Sequence, residues 1–365
     1  MNRKRILVCG TSFGKIYLKA ILESEQYELA GILGKGSART RSLAESFGVP
    51  VYTDLVEIDR ELDAACVIIP NAAGGGNGAE IAEKLLSKGV PTLLEHPAHD
   101  KEIVRCLRAA KEVPFMLNPF YRYIEPVRDF LKAASVIGQS SKLLCASLEC
   151  AIHVLYDGLD ILGCALGDLS TWKLGKVTEV PISSLIGGGN KCVGGVIGSI
   201  PVMLTVNMNV DKNDTDHPLH LYHRIELTFS TGRLCLVNTH GPIVWMPFLQ
   251  MPRDEYGTMN IEEGGTADLP SSLNIGQITA PSMRKTFNEI WPGAVLQALH
   301  CLFTQDKMKK LQMAQYQIYV SRLWSEVSRK LGYMNLVQID IGKNLVEIFD
   351  ELKEYKLIKE GLEIV

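Results

Sequence analysis

A glycine-containing turn near the start of the chain has residue types that could bind phosphate. The segment Gly10-Thr11-Ser12-Phe13-Gly14 follows an apolar run and precedes a stretch with helical spacing. Glycine permits a tight turn, and the N–H groups and dipole of the helix beyond it can hold a diphosphate. Ser12 stands where a second glycine is usual, so a strand–helix turn without a ligand is the alternative. The position of the motif in a strand–helix series favours a dinucleotide site made by these five residues.

The residues after the second apolar run indicate which dinucleotide is bound. A site that prefers NAD usually places Asp or Glu here, to accept a hydrogen bond from the ribose 2′-hydroxyl. The segment from Lys35 to Arg41 has no carboxylate. Ser37 at a helix start, with Lys35 and Arg39 beside it, suits a 2′-phosphate that accepts hydrogen bonds and carries charge. We therefore predict NADP; a capping serine with solvated basic residues is the alternative.

A second glycine-rich segment, NAAGGGNG over residues 71–78, follows the fourth apolar run. In open α/β sheets, ligands lie beyond the carboxyl ends of the strands, and consecutive glycines let the backbone approach a cofactor closely. We expect Asn71 and Gly75 to be among the residues that contact the cofactor. The alternative is a flexible loop that precedes a helix.

These segments need a scaffold of alternating strands and helices, and the first 120 residues show that alternation. Near-continuous apolar runs are typical of parallel strands that are covered on both faces. The predicted strands are 5–10, 27–33, 51–52, 64–70, 92–95 and 115–118, and the predicted helices are 13–22, 38–47, 78–88 and 101–112. The sequence therefore predicts a Rossmann-type parallel sheet.

The pattern changes after residue 120, where longer alternating segments predict an open, mostly antiparallel sheet with helices. The predicted elements are strands at 142–152, 170–177, 202–210, 220–229 and 234–238, helices at 125–134, 283–304 and 307–332, a loop at 252–282 and a helical tail from 341. We therefore predict an α/β protein with an NADP-binding Rossmann domain at 1–120. An α+β domain for substrate binding and dimerisation is predicted at 121–365.

Composition excludes several classes of protein. The chain has 365 residues, of which 46% are hydrophobic and 22% charged, which excludes disorder and fibrous repeats. A net charge of -3 offers no basic footprint for nucleic acid. No run approaches the roughly 20 apolar residues of a membrane helix, and the start lacks the apolar core of a signal peptide. Nine cysteines without a C-x-x-C pair suit a reducing compartment, so we expect a cytoplasmic protein.

Two polar segments end the fifth and sixth predicted strands: Glu95-His96-Pro97, and the run from Asn118 to Tyr121 and Arg122. After a Rossmann opening they resemble the glucose–fructose oxidoreductase/inositol dehydrogenase/MocA family, which typically has Glu-Lys-Pro at the first position. The resemblance implies a C-terminal domain built on an open antiparallel sheet. His96 replaces the lysine that commonly contacts substrate and nicotinamide in the sugar and cyclitol dehydrogenases, which argues against ordinary alcohol oxidation.

One branch of that family, the thiazolinyl imine reductases of siderophore biosynthesis, is similar to the chain at more places. The similar segments lie in order along the chain, at 10–18, 36–41, 47–53, 95–99, 118–121, 223–224, 241–245 and 321–324. The branch implies that NADPH reduces a thiazoline C=N bond to a thiazolidine. It also implies a substrate tethered to a carrier-protein domain of a nonribosomal peptide synthetase, and a homodimer.

The implied reaction needs a hydride at carbon, which the cofactor supplies, and a proton at nitrogen. Tyr121 is protonated at neutral pH and is our predicted general acid. Glu95 is the alternative donor or an orienter of the substrate, since it would donate only if burial raised its pKa. His96 either donates a proton or only shapes the turn before Pro97. We expect Glu95 and His96 to contact the cofactor as well.

Two further groups of polar residues lie in the second half. Asp157 is a candidate helix cap, and Asp160 resembles an aspartate of the imine reductases that could face the pocket. Between residues 214 and 223 there are three histidines and two aspartates, which are metal-ligand types. His220 and His223 would point to opposite faces of a strand, so we predict no metal site.

Two other functions stay open. An NADP-dependent sugar or cyclitol dehydrogenase would have the same fold, but His96 and the missing carboxylate after the second strand weigh against it. A non-catalytic NADP-binding regulator would have no need of Glu95 and Tyr121, and both residues are present.

Overall fold

The structure is a computed structural model that describes residues 3–58, 61–179, 189–213, 223–260, 266–277, 280–304, 306–338 and 345–354. It contains two large sheets, and each is covered by helices on at least one face. No helix in these ranges combines the length and the apolar character needed to cross a membrane.

The first sheet has six strands, all parallel, in the order β3-β2-β1-β4-β5-β6. The strands are β1 (Lys4–Cys9), β2 (Tyr27–Leu33), β3 (Val51–Tyr52), β4 (Ala64–Val67), β5 (Thr92–Glu95) and β6 (Phe115–Asn118). The helices between them are α1 (Gly14–Leu22), α2 (Ala38–Phe47), α3 (Gly78–Ser87) and α4 (Asp100–Ala110). This is the doubly wound Rossmann order, and it confirms the predicted parallel sheet.

The central strands are buried because helices cover both faces of the sheet. Ile6, Leu7 and Val8 of β1 have no exposed surface, as expected for a continuous apolar run. The order of strands reverses between β1 and β4, and a crevice opens there at their carboxyl ends. Gly10 lies at this crevice and has a φ of +98°. Its backbone is so close to Ile68 that an added Cβ would lie 2.5 Å from the Ile68 carbonyl oxygen.

The second sheet has eight strands in the order β15-β14-β13-β12-β7-β10-β9-β8. They are β7 (Leu143–Ala151), β8 (Trp172–Glu179), β9 (Asn190–Ile197), β10 (Ile200–Asn207), β12 (His223–Phe229), β13 (Gly232–Leu236), β14 (Ile243–Pro247) and β15 (Leu273–Ile275). Among the described strand pairs of this sheet, only β7–β10 is parallel, so the predicted mostly antiparallel sheet is confirmed. A separate parallel pair joins β11 (Asn209–Asp211) to β16 (Asn335–Val337).

Helices of the second half complete the fold. They are α5 (Glu125–Gly138), α6 (Leu155–Leu166), α7 (Met283–Lys285), α8 (Trp291–Thr304), α9 (Lys307–Leu331) and α10 (Leu345–Glu354). Helices α5 and α6 pack on one face of the second sheet. Helix α8 packs against α1 and α9 against α4, so the second half also supports the first sheet. The division at residue 120 therefore stays a prediction.

Several predicted elements differ from the structure. The predicted strand at 202–210 is interrupted at Met208, and the helix predicted for 283–304 contains a π-helical turn at Thr286–Ile290. Strand β15 lies inside the predicted loop at 252–282. Strand β9 was not predicted, because Gly194 and Gly195 weaken its pattern. Residues 214–222 of the candidate metal cluster lie outside the described ranges.

Candidate active site

The ends of β5 and β6 bring Glu95 and Asn118 side by side, because these two residues are register partners. The Asn118 side chain is buried, and its Nδ2 donates a hydrogen bond to the Tyr17 hydroxyl. The same hydroxyl donates to Glu95 Oε2. Asn118 Oδ1 accepts from the backbone N–H of Phe120, 3.1 Å away. A tyrosine of α1 thus joins two strand ends, and burial together with Glu95 raises its pKa well above the ordinary value.

His96 follows Glu95 and contacts polar groups with both ring nitrogens. Nδ1 lies 2.7 Å from the Asn118 carbonyl oxygen and 3.1 Å from Glu95 Oε1. Nε2 lies 2.9 Å from Asp157 Oδ1 in α6, in an ion pair rather than a straight hydrogen bond. The ring stacks on Tyr156, with centroids 5.5 Å apart. The side chains of Glu95 and His96 are each 12% exposed, so both remain accessible at the strand ends.

Electrostatics favour a charged His96. Burial alone would lower the pKa of this imidazole, but the carboxylates of Asp157 and Glu95 outweigh burial and raise it well above the ordinary value. Burial raises the pKa of Asp157, and the positive charge of His96 opposes that rise. Two carboxylates therefore face one imidazole in a space largely closed to water.

A second buried ion pair lies one turn along α6. Arg122 Nη1 is 3.4 Å from Asp160 Oδ1 and 3.2 Å from the sulfur of Cys164. Burial raises the pKa of Asp160 to about 6, although Arg122 opposes the shift. Asp160 therefore faces Arg122. The expectation that Asp157 caps α6 is wrong, because Val154 is the N-cap residue and no side chain caps the helix.

Tyr121 lies in the 3₁₀ turn Phe120–Tyr123 and is 7% exposed. Its ring meets His223 edge-on at 5.2 Å between centroids and lies 6.1 Å from Trp291. His223 Nε2 donates to the Val154 carbonyl oxygen at 3.0 Å, since a carbonyl can only accept. Burial lowers the pKa of His223 to about 3, so this histidine is a neutral packing partner of Tyr121.

The glycine turn after β1 and the segment after β2 are joined. Arg39 Nη2 donates to the backbone oxygen of Thr11 at 3.0 Å. Ser37 caps α2, where its hydroxyl accepts from the N–H of Thr40 at 3.3 Å. Lys35, Ser37 and Arg39 are exposed beside the turn. The residues predicted to bind the 2′-phosphate therefore lie next to the predicted diphosphate site, whose other members are Ser12, Phe13 and Gly14.

Asn71 and Gly75 have different surroundings. The Asn71 side chain is buried, and its Nδ2 donates to the carbonyl oxygens of Glu95 and Pro97, at 2.7 and 2.9 Å. Asn71 thus supports the Glu95–Pro97 backbone, whose His96–Pro97 peptide bond is cis. Gly75 is exposed, with a φ of +72°. Their contact with a cofactor stays a prediction.

Four residues that contact the segment 95–98 were not among the predicted site residues: Tyr17, Asn118, Asp157 and Ser321. Tyr17 lies between Ile16 and Leu18, so its position resembles that of an ordinary core residue. Asp157 looks like a helix-capping residue, and Ser321 lies far along the chain although its hydroxyl donates to the Ala98 carbonyl oxygen at 2.5 Å. Asn118 could have been found because it ends a predicted strand. Only the tertiary structure, however, places its carbonyl oxygen where it accepts a hydrogen bond from His96 Nδ1.

A cavity of about 500 Å³ lies elsewhere, beside α5 and α8, and neither Glu95, His96 nor Tyr121 lines it. His240 lines this cavity and accepts a hydrogen bond from Trp291 Nε1. The chemistry-bearing residues are therefore at the strand ends. In the described part of the chain, no three His, Cys, Asp or Glu residues are grouped as metal ligands.

Two parts of the chain match known protein families. Residues 4–119 match the oxidoreductase family with an NAD-binding Rossmann fold, glucose–fructose oxidoreductase/inositol dehydrogenase/MocA. Residues 141–246 match the C-terminal domain described as thiazolinyl imine reductase Irp3-like. The chain joins a Gfo/Idh/MocA-type oxidoreductase domain to an Irp3-like C-terminal domain. The family that the sequence motifs predicted is thus confirmed.

Solved structures of Gfo/Idh/MocA-type proteins share the fold at low identity. GenD2 from gentamicin A biosynthesis, in complex with NAD, is 12% identical with a TM-score of 0.64, over 93% of this chain and 97% of that one. KijD10, a 3-ketoreductase from Actinomadura kijaniata with NADP and TDP-benzene, is 15% identical with a TM-score of 0.62, over 92% and 99%. A myo-inositol 2-dehydrogenase from Lactobacillus plantarum is 12% identical with a TM-score of 0.62, over 92% and 100%. A comparison with curated proteins found no match.

We predict that Tyr17→Phe destabilises the fold more than a matched change elsewhere. The substitution leaves the buried Asn118 amide without its acceptor, which typically costs about 1–3 kcal/mol. Tyr27→Phe is the control, because Tyr27 is also buried but its hydroxyl forms no hydrogen bond within the described residues. Urea unfolding of both variants measures the difference, and equal losses would contradict the role given to Tyr17.

Proposed function

We propose that the protein reduces the C=N bond of a thiazoline to a thiazolidine with NADPH, on a substrate carried by a nonribosomal peptide synthetase. The observation that carries the proposal is the contact of Glu95 and His96, at the carboxyl end of β5, with Asp157 of α6. An imidazole between carboxylates stands where the related sugar dehydrogenases commonly have lysine. The Irp3-like match over 141–246 supports the same substrate class.

Reduction of a C=N bond consumes one hydride at carbon and one proton at nitrogen. NADPH supplies the hydride when bound, so the protein must orient the imine and supply the proton. Glu95 and His96 are partly exposed at the strand ends. The hydroxyl of Tyr121 is the third candidate donor, and its ring is held by His223 and Trp291. These groups lie at the edge where a parallel sheet binds its ligands.

The proposed preference for NADPH rests on the segment after β2. Lys35, Ser37 and Arg39 are exposed there, and no carboxylate is present to accept from a ribose 2′-hydroxyl. Arg39 is also bonded to Thr11 of the glycine turn, so its charge is held near the predicted diphosphate position. Cations and a hydroxyl in this place suit a 2′-phosphate.

We further propose a carrier-protein partner, a homodimer and a cytoplasmic location. The substrate arrives on a carrier-protein domain, and two copies of the chain pair through the open face of the second sheet. Met203 and Val196 support the pairing, because these apolar side chains are 49% and 39% exposed in β10 and β9. Thiol-containing intermediates and nine free cysteines suit the cytoplasm.

We expect NADPH oxidation, followed at the nicotinamide absorbance band, when a carrier-bound thiazoline is added. Tyr121→Phe, Glu95→Gln and His96→Gln are each expected to lower kcat, and loss of the residue that donates the proton typically costs about 100-fold or more. Reduction of NADP by polyols would instead indicate a sugar dehydrogenase, and cofactor binding without turnover a regulator. Near-normal kcat in both Tyr121→Phe and Glu95→Gln would contradict their roles.

We predict that Arg39→Ala and Ser37→Ala raise the KM for NADPH and leave the KM for NADH unchanged. Loss of a charge-assisted hydrogen bond of about 1.5–3 kcal/mol corresponds to roughly 10- to 150-fold for Arg39. Arg105→Ala is the control, since this exposed arginine pairs with Glu83 instead. Equal changes in the KM values for NADPH and NADH would show that these residues do not recognise the 2′-phosphate.

A further inference from the structure

The contact between His96 and Asp157 joins the end of β5 to the first turn of α6. The Nε2–Oδ1 distance is 2.9 Å, and the Asp157 side chain is only 2% exposed. On the other side of the ring, Nδ1 is 2.7 Å from the Asn118 carbonyl oxygen. Because a carbonyl oxygen can only accept, Nδ1 carries a hydrogen. The protonation of Nε2 therefore decides the charge of the ring, and Asp157 is the group that faces Nε2.

The surrounding groups also favour the charged ring. Glu95 Oε1 is the second carboxylate oxygen beside it, 3.1 Å from Nδ1. Asp160, one turn further along α6, pairs with Arg122, so this cation is engaged by another carboxylate. His223, on β12, is neutral. Tyr156 covers the face of the His96 imidazole. The ring thus faces two carboxylates, and the neighbouring cation is turned toward Asp160.

We propose that Asp157 is a positioning residue that holds His96 as an imidazolium, so that the turn after β5 stores the proton that the reaction consumes. In the proposed reduction, the imine carbon gains a hydride and the imine nitrogen gains this proton. His96 then becomes neutral and is protonated again from water after the product leaves. The fate of the proton rests on the proposed function, but the charge of His96 does not.

A purely structural role for Asp157 makes a different prediction. Asparagine has nearly the shape of aspartate and keeps an oxygen toward Nε2, so Asp157→Asn preserves packing while removing the negative charge. If Asp157 only fills space, the substitution leaves the protonation of His96 unchanged. If its charge holds the imidazolium, the protonation of His96 falls while the fold persists.

The test is an NMR titration of the full chain labelled with ¹⁵N-histidine, with His96→Gln used to assign the His96 signals. We expect His96 to stay charged at pH 7–8 in the wild-type protein. In Asp157→Asn it should release its proton at least one pH unit lower, a tenfold loss of proton affinity. Asp157→Glu should restore much of the affinity, and Asp160→Asn should shift it less. A neutral His96 at pH 7 in the wild-type protein would overturn the proposal even if Asp157→Asn fails to fold.

Kinetics give a second readout in the same variants. The alkaline limb of the kcat profile with a thiazoline substrate should move to lower pH in Asp157→Asn, while the KM for NADPH stays unchanged. A charged His96 in a protein without thiazoline turnover would refute the proposed function and leave the role of Asp157 intact. An unchanged His96 titration in a folded, active Asp157→Asn variant would refute the role of Asp157 alone.

Discussion

The site depends on one constraint: polar groups at the ends of β5 and β6 are largely or fully removed from water and must find partners within the protein. Glu95 and Asn118 lie opposite each other in the register of two parallel strands, beyond strands that are otherwise apolar. An unpartnered polar group in such a place costs free energy comparable to a lost hydrogen bond. Tyr17, Asn71 and His96 supply the partners, so the backbone and side chains of this turn are held from three directions.

Elements of the second half of the chain complete the site at the ends of the Rossmann strands. Helix α6 brings Asp157 to His96, and the 3₁₀ turn after β6 brings Tyr121 against His223 of β12. Helix α9 bonds the backbone just after the turn through Ser321, and Trp324 packs on Tyr156, whose ring lies on His96. The charge and orientation of the residues at the strand ends are therefore set by elements from both halves.

Much of the fold follows from local pattern. The β2 and β5 strands and helix α2 lie at the predicted residues, because a buried parallel strand is a continuous apolar run and Ser37 marks the helix start. Glu95 and His96 could be located because the apolar run of β5 shows where that strand ends. The pairing of His96 with Asp157 could not, because the two residues are 61 positions apart and only tertiary packing brings them together. Tyr17 has the pattern of a core residue, and its hydroxyl gains a role only from Glu95 and Asn118.

The proposed reaction transfers a hydride from NADPH to the carbon of a thiazoline C=N bond. The most direct measurement uses NADPH in which both hydrogens at the nicotinamide C4 are replaced by deuterium, and mass spectrometry of the carrier-bound product. The account predicts one deuterium on the former imine carbon of the thiazolidine for each cofactor oxidised. Cofactor oxidation that leaves the thiazoline unreduced, a thiazolidine without deuterium on that carbon, or no oxidation in the presence of a loaded carrier would contradict it.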